Sequence, residues 1–196
     1  FLPYSESLIR EEMSLFIDWF LDHHHGYQLS KSEIARWQDC THILTQNALS
    51  QPQVLVHRDF HSRNLMFLDS GNPGILDFQD AVIGPITYDL VSLLRDCYVS
   101  LNSDVVADFS LYFYKNLDEE GKAGISHNQF AKFFDLMGIQ RHLKAVGIFT
   151  RLNYRDGKSI YLNDIPRTLE YILTVAENYP EIIFLVELIK KLRSKG

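Results

Sequence analysis

"VLVHRDFHSRNLMFLDSGNPGILDFQD", residues 54–80, decides how this chain is read. VLV, NLMFL and GILDF are short apolar runs of strand length. DSGNPG (69–74), between the last two, consists of residues that accept turn geometry. NLMFL and GILDF are therefore expected to pair as an antiparallel hairpin. Such a hairpin returns Asp77 to the neighbourhood of Asn64, since both lie at the end away from the turn. Asp59 stands five residues before Asn64, on the loop that enters the hairpin. Two carboxylates and an amide then converge on a small volume, and hard oxygen ligands of this kind suit Mg²⁺ together with phosphate oxygens.

The same residues admit other readings. His57, Asp59 and His61 alternate, so on a continuous strand they share one face, as the zinc ligands of a hydrolase do. That arrangement leaves Asn64 and Asp77 idle. Taken singly, Asp77 is a strand-end residue capping a turn, Asp89 a helix N-cap and Met66 ordinary core.

Outside this stretch the pattern is helical. Leu8, Leu15, Phe16, Trp19 and Phe20 recur at helical spacing over 7–23, with Glu11, Glu12 and Asp18 between them. Ser30 and Glu33 have the spacing of a capping box, and Ile34, Trp37, Ile43 and Leu44 mark a buried stripe to about residue 48. Residues 89–101 read as an apolar helix carrying Arg95 and Asp96, where an unpaired charge is expensive. Ser103 and Ser126 open further helices around a polar loop, 118–124. The second of these is expected to run, bent near Gly138 or Gly147, to Asp156-Gly157. Asp164 with Pro166, and Pro180, begin the last two. His23, His24 and His25 read as a solvated helix end.

At 196 residues and 46% hydrophobic, the chain can bury a core, and nothing in it reads as a linker or repeat, so 1–196 is taken as one lobe. The net charge of −6 argues against nucleic acid. No apolar run is long enough to span a bilayer. Cys40 and Cys97, isolated thiols, suit a reducing cytoplasmic setting. The fold class expected is mainly α (α+β), a helical bundle with a small antiparallel hairpin carrying the site.

His57-Arg58-Asp59 with Asn64, then Asp77-Phe78-Gln79, resembles the catalytic and metal loops of kinases. His61 and the absence of a long activation segment before "GPITYDLVSLL" (84–94) make the chain similar to the aminoglycoside phosphotransferase and choline kinase group. "LLRDCYVSL" (93–101), "RHLKAVGIFTRLNYRDGKSIYL" (141–162) and "DIPRTLEYI" (164–172) look like that group's bacterial anomeric kinases for N-acetylmuramate and N-acetylglucosamine, used in cell-wall sugar recycling.

The resemblance implies the C-terminal lobe of a protein-kinase-like fold acting with ATP and Mg²⁺ on a small-molecule sugar. It makes Asp59 the group that accepts or orients the hydroxyl proton, and Asn64 and Asp77 the metal ligands. Met66 and Leu76 would floor the adenine, Asp89 would hold catalytic-loop amides, and His57 and His61 would position the loop. Asp96 and Arg95, with Arg151 and Arg155, are candidates for the sugar. The glycine-rich turn and strand-borne Lys of such kinases are missing, so an N-terminal ATP-binding lobe is expected outside this chain, with little activity without it. An aminoglycoside kinase and a non-catalytic kinase-shaped binding module are the alternatives.

Overall fold

A computed structural model describes residues 1–194. The chain forms helices α1 (Glu6–Leu15), α2 (Lys31–Leu49), α3 (Tyr88–Leu94), α4 (Ser103–Asn116), α5 (Glu119–Lys122), α6 (His127–Asp156), α7 (Ile165–Ala176) and α8 (Phe184–Arg193). Among the described residues there are four short strands: β1 (Gln53–Val56), β2 (Leu65–Met66), β3 (Gly74–Ile75) and β4 (Val82–Pro85). Mainly helical architecture with small antiparallel sheets is what the periodicity calls for. The residues sort into two compact units, one of 1–4 with 47–138, the other of 5–46 with 139 onward.

In the first unit, β1 pairs antiparallel with β4, Val56 opposite Val82. The N-terminal segment extends this sheet, Tyr4 N donating to Ile83 O (2.7 Å) and Ile83 N to Leu2 O (2.9 Å). β2 and β3 form the expected hairpin, Leu65 opposite Ile75, but it is only two residues deep. It stops there because Asn72 takes over Leu68: its Oδ1 accepts the Leu68 amide (2.6 Å) and its Nδ2 donates to the Leu68 carbonyl (2.7 Å). A side chain replaces the ladder.

The helix expected over 89–101 is shorter too. α3 ends at Leu94, and beyond it the Asp96 carboxylate accepts the Tyr98 amide (2.7 Å), a local bond that competes with helix continuation. Arg95 and Asp96 therefore leave the helix and do not bond each other. Arg95 reaches Asp135 on α6 (2.5 Å) and lies over the Phe134 ring (4.5 Å). The loop expected over 118–124 folds into α5, with the Asp118 carboxylate accepting the Gly121 amide (2.7 Å).

In the second unit, the capping box forms. Ser30 N donates to Glu33 Oε2 (2.9 Å), and Glu33 N to Ser30 Oγ (3.3 Å). α1 continues into π-helical turns, Phe16–His24. The buried side is Ile9, Met13, Phe16, Phe20 and Leu21, with Trp37 stacked on Phe16 at 5.8 Å. Ile34, expected in the stripe of α2, is 43% exposed, since it sits in the first turn before the helix reaches the core. Glu12 is buried, and its carboxylate is met by Lys144 Nζ (2.7 Å) and Gln140 Nε2 (3.1 Å). α6 runs unbroken through both glycines until Asp156, with Gly157 left-handed at φ 68°.

Candidate active site

The site grows from the loop between β1 and β2, and three fastenings fix it. The Asp89 carboxylate, in the first turn of α3, accepts the His57 amide (2.7 Å) and the Arg58 amide (3.0 Å). The Asp59 carbonyl accepts the His61 amide (3.1 Å) and Asn64 Nδ2 (3.1 Å). The Asp96 carboxylate accepts the Ser62 amide (2.8 Å). A three-residue 3₁₀ turn, Ser62–Asn64, then feeds β2.

The hairpin returns the chain to this loop as the turn chemistry requires. Leu76 N donates to Asn64 O at 3.0 Å, so Asp77 follows directly on a residue bonded to Asn64. Asp77 is exposed and left-handed (φ 63°), and the half-buried Arg58 is left-handed too (φ 73°). Such conformations are costly for residues with a Cβ and collect where geometry is functional. Arg58 is held there by its own contacts: Nη1 donates to Asp80 O (3.3 Å), and the guanidinium faces the Tyr4 ring at 6.0 Å.

The amide of Asn64 has a fixed orientation. Its NH₂ is engaged by the Asp59 carbonyl, which leaves Oδ1, the group's acceptor, for a cation. Asn64 Oδ1 and the Asp77 carboxylate are hard oxygen donors of the type and number that Mg²⁺ takes beside phosphates. Among the described residues, no group of three or more His, Cys, Asp or Glu is placed to hold a metal, as a zinc site on His57, Asp59 and His61 requires. The His57 ring nitrogens are buried without hydrogen-bond partners, and the His61 ring stands edge-on to Tyr98 at 5.3 Å.

Met66 and Leu76 occupy the ribbon, 47% and 49% exposed, with Phe67 and Phe78 beside them at 91% and 70%. Arg95 is engaged by Asp135, and Asp96 lies buried beneath the loop. Arg151 and Arg155 belong to the second unit, on the last turns of α6, where Arg155 forms a two-pronged pair with Asp156 (2.7 and 2.9 Å). One feature had no signal in the sequence. The Arg63 guanidinium lies 3.6 Å over the Tyr98 ring, a stack that depends on where the shortened α3 delivers Tyr98.

The sequence profile of the phosphotransferase enzyme family matches residues 7–121. Three curated relatives carry the name N-acetylmuramate/N-acetylglucosamine kinase. That of Pseudomonas aeruginosa is 44% identical over 190 residues, 96% of this chain and 56% of its own length. That of Pseudomonas putida is 43% identical over 97% of this chain and 56% of its own. That of Neisseria meningitidis serogroup B is 42% identical over 96% and 57%. The chain thus spans about half the length of the curated relatives it matches. Among the described residues, no helix is long and apolar enough to cross a membrane.

Proposed function

Because the chain belongs to the phosphotransferase enzyme family, we propose that it is the catalytic and acceptor-binding part of a cytoplasmic small-molecule kinase. The whole protein would move the terminal phosphoryl group of ATP to the anomeric hydroxyl of an N-acetylated amino sugar, a step suited to the recycling of cell-wall sugars. The observation that carries this is the junction of loop and ribbon, where the Leu76 amide bonds Asn64 O and Asn64 Nδ2 bonds Asp59 O. The relatives' names supply the sugar class.

In this reading Asp59 takes or orients the proton of the attacking hydroxyl. Asn64 Oδ1 and Asp77 hold Mg²⁺, which when bound neutralises the charge on the nucleotide phosphates. Met66 and Leu76 offer an apolar floor to the adenine. Asp89 keeps the loop amides in place, and His57 and His61 pack around it. A further part of the longer protein closes over the nucleotide, because phosphoryl transfer gains most from enclosure and in-line positioning.

The test is phosphate transfer from labelled ATP in the full-length protein, with Mg²⁺, to N-acetylmuramate, N-acetylglucosamine and aminoglycosides in parallel. Transfer to the first two with an alkali-stable but acid-labile product supports anomeric phosphorylation. Transfer to aminoglycosides alone would move the acceptor class. No transfer to any, with no shift in melting temperature on adding Mg-ATP, would make the protein a binding module.

A further inference from the structure

Among the described residues of the first unit Asp96 is the one buried acidic side chain, at 2% exposure, and its two oxygens are divided between two backbone amides. Oδ2 accepts the Ser62 amide at 2.8 Å, and Oδ1 accepts the Tyr98 amide at 2.7 Å. Asp89, seven residues earlier at the opposite end of α3, does the same for His57 and Arg58. The loop holding Asp59 is thereby gripped on both sides, by a carboxylate in the first turn of one short helix and by another just beyond its last turn. The second grip also places a ring. The Tyr98 side chain lies under the Arg63 guanidinium at 3.6 Å and beside the His61 ring at 5.3 Å, so both loop residues rest on the segment that Asp96 fixes.

We infer that Asp96 is a positioning residue, whose carboxylate sets the second half of the catalytic loop and hence the place of Asp59 and Asn64, and that it does not grip the sugar. Burial and two amide bonds account for the carboxylate. At 2% exposure the carboxylate is closed off from a sugar hydroxyl. The inference rests on the kinase function proposed above, since it concerns the geometry of that reaction's site.

Asp96→Asn is the discriminating variant. It keeps the shape but turns one acceptor oxygen into an NH₂, which faces a backbone N–H and loses that bond. In the full-length protein, kcat is expected to fall on the order of 10- to 100-fold, the scale of a misplaced reacting group. The KM values for sugar and ATP should stay within about threefold, as expected when ground-state contacts survive. Hydrogen exchange gives a readout independent of turnover: whichever of the Ser62 and Tyr98 amides faces the new NH₂ should exchange at least about tenfold faster, while those of His57 and Arg58, held by Asp89, keep their protection. A rise in the sugar KM at unchanged kcat would assign Asp96 to the substrate and overturn the inference. So would unchanged exchange at Ser62 and Tyr98, or faster exchange there at unchanged kcat. If the wild-type protein transfers no phosphate, the kinase reading fails on its own, and the exchange pattern still decides whether Asp96 holds the loop.

Discussion

Asp59 contributes to the site twice. Its carbonyl fixes Asn64, and its half-buried side chain stands in a loop whose His57, Arg58, His61 and Ser62 amides are engaged. Removing the carboxyl leaves the carbonyl in place, so Asp59→Ala tests the proton-handling role without releasing Asn64. In the full-length protein it should lower turnover by roughly 10²-fold or more, the usual scale for a positioned acid or base, with ATP affinity nearly unchanged. Equal turnover of variant and wild type on the true sugar would remove Asp59 from the reaction. A second single-residue effect belongs to stability. Hydrogen bonds from Lys191, the Ser30 amide and Tyr27 hold the Glu33 carboxyl at about 2, well below its ordinary 4.5. The folded value lies below the unfolded one, so the stabilisation from Glu33 is full above about pH 4.5 and vanishes as the pH falls through about 2. Urea midpoints measured from pH 6 to pH 2 should fall more steeply in wild type than in Glu33→Gln, the two curves converging at the acid end. Parallel curves would mean that the cluster contributes nothing.

Elements show why some features could be read from the residues and others could not. The capping box at Ser30 and the return of Asp77 to Asn64 depend on local spacing and turn chemistry, and both follow from the residues alone. The length of α3 does not, because it is set by the Asp96 side chain capturing a backbone amide, a choice made only once Ser62 stands opposite. The β1–β4 pairing was equally hidden, since Gly84-Pro85 looks like a loop until Gln53 and Val54 lie beside it. The glycines of α6 suggest bends, yet the helix is continuous and they serve close approach. At Gly147 an added Cβ would lie 2.6 Å from both the Cβ and the carbonyl oxygen of Leu15. Alanine is better than glycine in a helix by about 1 kcal/mol. Overpacking against a neighbouring helix typically costs about 1–3 kcal/mol, and here part of the obstacle is backbone. Gly147→Ala is therefore expected to lower the urea midpoint despite its better propensity. A raised midpoint would show that α1 yields freely at Leu15.

On the scale of the whole molecule, the surface around the β2–β3 ribbon governs what the chain can do by itself. Met66, Leu76, Phe67 and Phe78 leave between 47 and 91% of their surfaces open, a concentration of apolar area beside the candidate metal ligands. Sites for ligands of this size bury about 70–90% of the ligand, whereas a two-residue ribbon can cover one face of a purine ring. The relatives are nearly twice as long as the stretch they share with this chain, which leaves room for a second surface to cover the other face. Titration calorimetry on the 196-residue chain should therefore give a Kd for Mg-ATP weaker than about 1 mM, corresponding to a binding free energy of only about −4 kcal/mol. The full-length protein should bind at least tenfold more tightly, and Met66→Ala should weaken that binding several-fold while leaving the sugar KM alone. Micromolar binding by the 196-residue chain would mean that the ribbon and its neighbours already enclose the nucleotide, and the proposal of a covering part elsewhere in the protein would then fall.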